Sequence, residues 1–176
     1  MPSIEISKTD LQNLIGKKLP NDLEELNDLM SYAKGEVEGL DGDTLKLNLE
    51  DSNRPDLWSA EGLARHFRTF LGVAQISYKV ESSDYKVFVT DNMKNVRPFI
   101  ACAVVKGVKL NSNIIKQLMQ QQEKIDVTYG RNRAKTSIGL YKLDKLKWPL
   151  KYTLSNPTEN AFVPLGFNDE MTPKDI

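Results

Sequence analysis

The side chains best suited to chemistry in this 176-residue sequence lie between Gln122 and Lys151. A helix is expected to start near Asn111, with Ile115, Leu118 or Met119, and Ile125 recurring in steps of three and four. That spacing puts Gln122 on the same buried face. A buried amide left without hydrogen-bond partners costs about 1–3 kcal/mol. Gln122 therefore either holds a neighbouring strand or loop, or faces a pocket. The second group is Tyr129-Gly130-Arg131-Asn132-Arg133-Ala134-Lys135, followed by Lys142, Lys145, Lys147 and Lys151. Seven basic residues run from Arg131 to Lys151, with only Asp144 against them. Gly130 suits a tight backbone turn just before two arginines. Such a strip suits the phosphate backbone of RNA. It equally suits a solvated basic face, or a docking surface for an acidic neighbour.

The rest of the chemical inventory is short. The sequence has no Walker loop, GxGxxG, GxSxG or metal-ligand spacing, so no metal site and no phosphate-cradling loop are expected. His66 is the only histidine. It lies between Arg65 and Phe67 on an expected helix and reads as a helix-surface or partly buried side chain. Cys102 is the only cysteine, which excludes a disulfide or a cysteine zinc site within the chain. Its place inside the apolar run 98–105 predicts burial. With 40% hydrophobic and 27% charged residues, the composition is that of a folded globular chain. No run of eighteen apolar residues occurs, so no membrane span is expected. The start Met1-Pro2-Ser3-Ile4-Glu5 lacks a basic region followed by an apolar stretch, which makes the cytoplasm the expected compartment. The formal net charge of zero conceals an asymmetry. Residues 1–85 hold 9 Lys+Arg against 16 Asp+Glu, a net −7, and residues 86–176 hold 15 against 8, a net +7. Halves of opposite sign suggest two modules with different neighbours, or halves that dock on each other.

The elements that must position these residues read as α+β. Ile4-Glu5-Ile6 alternates as a short strand, and Ser7-Lys8-Thr9-Asp10 fits a capping box for a helix that stops at Gly16. Asn21-Asp22-Leu23-Glu24 opens a second helix, with Leu23, Leu26, Met30 and Ala33 on one face and a stop at Gly35. Asp41-Gly42 signals a type I′ hairpin turn. Leu45, Leu47 and Leu49 then alternate with Lys46, Asn48 and Glu50 as a strand with one buried face. Pro55 suits the first turn of a helix carrying Leu57, Ala60, Leu63, Ala64, Phe67 and Leu71 and ending at Gly72. Ile76, Tyr78 and Val80 predict a closing strand, and residues 81–84 a linker. Further on, strands are predicted at 85–89, 98–105, 136–140, 150–154 and 162–165, with 98–105 covered on both faces. The expected organisation is a small helix-plus-hairpin domain at 1–84 and a mixed, sheet-rich domain at 85–176.

The segment Asn53-Arg54-Pro55-Asp56-Leu57-Trp58-Ser59-Ala60-Glu61-Gly62-Leu63-Ala64-Arg65 resembles one in the β subunits of phenylalanyl-tRNA synthetases. That family shows an Asn-Arg-Pro-Asp-Leu core, then Ser-x-Glu-Gly and an aliphatic-Ala-Arg step. Arg97-Pro98-Phe99-Ile100-Ala101, Gln121-Gln122-Glu123, Gly130-Arg131-Asn132-Arg133, Ser137-Ile138-Gly139 and Phe162-Val163-Pro164-Leu165 look like its archaeal and eukaryotic branch, in the same order. The bacterial branch inserts an oligonucleotide-binding module for which this chain has no room. Family β subunits are several times longer, so the resemblance implies an amino-terminal fragment whose 85–176 region is the first part of an editing domain.

The resemblance implies a role in translation. The family enzyme is an α2β2 assembly that attaches phenylalanine to its tRNA using ATP and magnesium. Activation sits in the α subunit, so no cofactor is expected in this chain and the fragment alone should not aminoacylate. The implied partners are the α subunit and tRNA. The β subunit carries the domain that hydrolyses mischarged tyrosyl-tRNA, and by position Gln122 and Arg133 match residues of that editing pocket. Arg131, Lys135, Lys142, Lys145 and Lys147 are the candidate RNA contacts. One departure stands out: where the family often has a His-Asp pair after the Ile-Gly-x step, this sequence has Tyr141-Lys142. A non-catalytic scaffold or an RNA-binding module without editing is therefore a second reading.

Overall fold

The computed structural model describes residues 3–49 and 51–176. Glu50, expected on the polar face of a strand, and the Met1-Pro2 start lie outside the described residues. The fold is α+β. The chain divides into two compact units, Met1–Val80 with Val108–Leu140, and Glu81–Gly107 with Tyr141–Ile176. The charge balance changes sign near residue 84, close to the first crossing between units, while the grouping by contact also places 108–140 with the amino-terminal residues.

The larger unit is built on a three-stranded antiparallel sheet. Its strands β1 (Ser3–Ser7), β2 (Glu36–Asp41) and β3 (Thr44–Asn48) lie in the order β1-β3-β2. Ile4 pairs with Leu47 and Ile6 with Leu45. Val37 and Leu40 pair with the same two leucines from the other side, across a bulge between Val37 and Gly39. Alternation places Leu45, Leu47 and Leu49 on one face, and all three are 0% exposed. Helices α1 (Lys8–Ile15), α2 (Leu23–Ser31) and α3 (Ala60–Phe70) complete this unit's core with Leu11, Ile15, Leu26, Met30, Leu63 and Phe67. Each such aliphatic or aromatic side chain contributes about 1.5–3 kcal/mol on burial.

The helix ends follow local chemistry. The Ser7 hydroxyl accepts from Asp10 N, and α1 stops at Gly16 with φ +80°. The capping box is not closed by Asp10. Asp43, from the hairpin, accepts instead from Thr9 N at 2.9 Å and from the hydroxyls of Ser7 and Thr9. Arg68 Nη1 donates to Leu14 O and Ile15 O at 3.0 and 3.1 Å, a cation satisfying the last carbonyls of α1. Asp22 caps α2 by accepting from Glu24 N and Glu25 N. Lys34, not Gly35, takes the left-handed position after α2, with φ +55°. Gly35 is instead closely packed, since a Cβ there would lie 2.9 Å from Leu49 Cδ2 and would have to displace that side chain.

Several expectations are corrected here. Leu23 is half exposed, outside the stripe of α2. The hairpin turn residues are Gly42 and Asp43, and only Gly42 has positive φ, the pattern of a type II′ turn and not type I′. A 3₁₀ turn at Pro55–Leu57 precedes α3, so the single helix expected there is two elements. Residues 76–80 form no strand, and Tyr78 and Val80 are 78% and 92% exposed.

The smaller unit holds a parallel pair, β4 (Val87–Val89) with β5 (Leu150–Tyr152). Tyr85 packs against Trp148 with ring centroids 4.9 Å apart, and Met93 is buried. Residues 98–105 are not a covered strand: Phe99 and Val105 are largely exposed. Cys102 is likewise exposed and not buried. Nor are 136–140 and 162–165 strands, the latter making only an isolated bridge from Phe162 to Met171. A strand needs a continuous ladder as well as β-prone residues, and among the described residues these segments have at most that single bridge.

Two predictions follow from the packing around α3. A Cβ on Gly62 would lie 1.5 Å from Asp56 O. Gly62→Ala must therefore push the 3₁₀ turn away from α3, costing about 3 kcal/mol or more, read as a lowered urea midpoint. The Arg54 side-chain hydrogen bond, helped by Arg65, holds the Asp56 carboxyl below its usual range, and the Ser7 and Thr9 hydrogen bonds do the same for Asp43. A depressed folded pKa contributes stability that is present above the unfolded value and lost as pH falls through the folded one. Denaturation midpoints should hold from neutrality to about pH 4 and fall below it. The combined Asp43→Asn and Asp56→Asn variant should flatten that fall, and an equally steep fall in the variant would refute the assignment.

Candidate functional site

Helix α4 (Ser112–Val127) begins where the Asn111 side chain accepts from Ile114 N at 2.9 Å. Its buried face follows the expected apolar stripe only in part, with Ile125 packed against the core and Leu118 half-buried. Ile115 and Met119 are 45% and 62% exposed, whereas Gln117 and Asp126 are buried. The reason lies in what α4 packs against. β1 is an edge strand of its sheet, with backbone groups that no neighbouring strand pairs. The Gln120 amide satisfies both groups of Glu5, accepting from its N–H at 2.9 Å and donating to its carbonyl at 3.1 Å. Gln117 donates to Asp10 at 3.2 Å, and Lys116 lies 3.7 Å from the Glu5 carboxylate. A polar neighbour selects a polar helix face. In this unit a helix from the basic half of the sequence docks on a strand from the acidic half.

Gln122 is half-buried, one turn before Asp126. Its Nε2 donates to Ile138 O at 2.7 Å, and Asp126 Oδ1 accepts from Ile138 N at 3.1 Å. Two side chains four apart on the helix thus hold both polar groups of residue 138.

Between helix and clamp the backbone makes a left-handed turn. Arg131, Asn132 and Arg133 have φ of +51°, +54° and +65°. For non-glycine residues this region costs about 1–2 kcal/mol each. The cost is offset by backbone bonds to the end of α4: Gly130 N to Ile125 O at 2.8 Å, Asn132 N to Val127 O at 3.1 Å, and Arg133 N to Asp126 O at 2.9 Å. Gly130 stands in the tight turn expected of it, though the positive φ values fall on the three residues after it. It supplies space, since a Cβ there would lie 2.6 Å from Asp126 O and 2.7 Å from Thr136 O.

Arg133 Nε lies 3.3 Å from Asp126 Oδ2, with the carboxylate 1% and the guanidinium side chain 57% exposed. This is an ion pair without hydrogen-bond alignment, because Oδ2 accepts no hydrogen bond. Gln122 and Arg133 thus converge on the Asp126–Ile138 region. Arg131 and Lys135 are exposed on the same turn. Lys142, Lys145 and Lys147 belong to the smaller unit and are exposed, with Lys142 3.6 Å from Asp144. Sequence reasoning missed Asp126. Its signal was an acid in the last turn of a helix, where the macrodipole disfavours it unless a specific partner is present.

His66 is half-buried beside Tyr32 O at 3.1 Å. It lines a shallow depression of about 330 Å³ with Arg54, Arg65, Thr69 and Phe70. A second depression, of about 240 Å³, lies among Glu5, Asp43, Asn113 and Lys116. Neither is lined by Gln122 or Arg133. Among the described residues, no three His, Cys, Asp or Glu side chains group to hold a metal, and no helix is long and apolar enough to cross a membrane.

No family model matches the chain. The phenylalanine–tRNA ligase β subunit of Pyrococcus furiosus is 44% identical over 182 aligned positions, which cover all of this chain and 32% of that protein. The corresponding subunit of Methanocaldococcus jannaschii is 39% identical over the same shares. A crystal structure of an N-terminal fragment of the phenylalanyl-tRNA synthetase β subunit from Pyrococcus horikoshii matches with a TM-score of 0.88 at 40% identity. That match covers 98% of this chain and 51% of the other. The chain spans about a third of the length of the curated relatives it matches. With sequence and fold agreeing along its whole length, the chain belongs to the family of phenylalanyl-tRNA synthetase β subunits.

Proposed function

We propose that this chain serves in the β subunit of a phenylalanine–tRNA ligase, and that the end of α4 with its left-handed turn helps to hydrolyse mischarged tyrosyl-tRNA. In the complete enzyme the β subunit works with an α subunit, as an α2β2 assembly in the cytoplasm. ATP and magnesium belong to the activation step on the α subunit. The described residues offer no ligand cluster for the metal, so no part of that step is assigned to this chain.

The observation that carries the editing reading is the orientation of Gln122. With Nε2 donating to Ile138 O at 2.7 Å, Oε1 remains the acceptor that the amide can offer. A tyrosine ring offers a hydroxyl donor and phenylalanine does not. A site built around that hydroxyl rejects the analogue lacking it far more strongly than an apolar pocket rejects an added one. Arg133 contributes a guanidinium suited to a terminal phosphate or to the carbonyl oxygen of the ester. Hydrolysis adds water across that ester and frees tyrosine and the tRNA. Arg131, Lys135, Lys142, Lys145 and Lys147 are exposed cations suited to the tRNA backbone.

A second reading, a scaffold or RNA-binding module without editing, is favoured by Tyr141-Lys142 at the family's His-Asp position. Tyr141 is 78% exposed. The Gln122 contact to Ile138 is also what a purely structural amide would make.

Gln122→Ala separates these readings. Under the editing reading it slows hydrolysis of tyrosyl-tRNA by the complete α2β2 enzyme and leaves phenylalanine attachment nearly intact. Under the structural reading it lowers stability by about 1–3 kcal/mol with editing unchanged. Unchanged hydrolysis together with a lowered melting temperature would exclude a substrate role for Gln122.

A further inference from the structure

We infer that Asp126 is the positioning residue of this site, setting through one buried carboxyl group and its own peptide where Arg133 and the 138 segment stand. The inference rests on the editing reading above, and it goes beyond it in naming what aims the arginine. Asp126 is 0% exposed, the most deeply buried charged side chain on α4. It makes three separate attachments. Oδ1 accepts from Ile138 N at 3.1 Å, Oδ2 lies 3.3 Å from Arg133 Nε, and its carbonyl accepts from Arg133 N at 2.9 Å.

Arg133 is therefore held twice by one residue, at its backbone and at its side chain. The double hold explains how a left-handed Arg131-Asn132-Arg133 turn persists. Each residue alone would relax to negative φ, and the attraction of a desolvated carboxylate opposes that relaxation. Nε faces the buried carboxylate, while the Arg133 side chain as a whole is 57% exposed. Asp126 touches no substrate. It fixes the direction from which Arg133 meets one, and through Ile138 it fixes the carbonyl that orients Gln122. Removing its charge while keeping its size should release the arginine.

The test is Asp126→Asn, alone and combined with Arg133→Ala, in the complete α2β2 enzyme. The single variant should lose about tenfold or more in tyrosyl-tRNA hydrolysis, the scale of a misplaced positioning group, while phenylalanine attachment stays within about twofold of wild type. In the Arg133→Ala background, Asp126→Asn should cause no further loss, since residues acting as one unit are non-additive. Independent, additive losses would overturn the inference, as would full hydrolysis by Asp126→Asn. Trypsin gives a readout that needs no activity. In Asp126→Asn the released turn should be cut after Arg131 or Arg133 faster than in wild type, with cuts elsewhere unchanged. Equal cutting at the turn would show that Asp126 does not hold it. If the wild-type enzyme does not hydrolyse tyrosyl-tRNA, the editing reading fails, and the trypsin comparison still decides whether Asp126 sets the turn.

Discussion

The central strand β3 is the constraint on which the larger unit depends. Leu45, Leu47 and Leu49 are all 0% exposed, and β1 and β2 register against two of them from opposite sides. A shift of one residue would turn every leucine to the solvent face, so the burial pattern fixes the register. The same register brings Asp43 beside Ser7 and Thr9, where it caps α1 across the sheet. It also leaves β1 at the edge, with Glu5 presenting unpaired backbone groups. Edge strands invite further pairing and are commonly covered, and here Gln120 of α4 does the covering.

That edge contact carries the site. α4 lies against β1 through Gln120 and against the first turn of α1 through Gln117, which sets which positions face inward for the rest of the helix. Asp126 then falls on the buried side, and Gln122 at its margin. The chain runs from sheet register to helix orientation, from helix orientation to the Asp126–Ile138 clamp, and from the clamp to a turn displaying Arg131 and Arg133. Each link is a hydrogen bond or ion pair between groups shielded from water to different degrees. The inner ones are worth most, because unmade bonds there find no water in exchange.

Local chemistry was legible in the sequence and partner-dependent structure was not. The caps at Ser7 and Asn111, the stop at Gly16 and the alternation of Leu45, Leu47 and Leu49 need only neighbours within a few residues, and the α2 cap falls one residue later than the Asn21 pattern placed it, at Asp22. The ordered motifs from Asn53 to Leu165 carried the family. The phase of α4 was misread at Ile115 and Met119, though not at Ile125, because counting apolar residues assumes an apolar partner all along the helix, and Gln117 and Gln120 meet polar groups of α1 and of the edge strand. Residues 76–80 and 98–105 were misread because β-prone composition says nothing about the presence of a ladder partner. Gln122 was read as a buried amide needing a partner; it is half-buried, and its Nε2 donates to Ile138 O. Asp126 was passed over because an acid near a helix end looks like solvated charge until Arg133 and Ile138 are seen to close on it.

The location of the costly features is itself informative. The larger unit spends its strained backbone sparingly: outside glycine, positive φ occurs there at Lys34 and at the three consecutive residues 131–133. Lys34 ends a helix, where a single left-handed residue is common. Three in succession are not required to end α4, since one would suffice. Among the described residues the buried charged side chains are Lys8 and Asp126, and Asp126 alone is 0% exposed. The run of strain and the buried Asp126 coincide at one turn, and that turn displays two arginines to solvent. Strain persists where surrounding contacts over-determine it, and such places cluster at functional sites. A turn serving only to reverse the chain would reach a lower free energy with glycine or asparagine at positive φ and an apolar residue at 126. The sequence keeps that economy only at Asn132, and holds Arg131 and Arg133 left-handed on either side of it with a buried acid at 126.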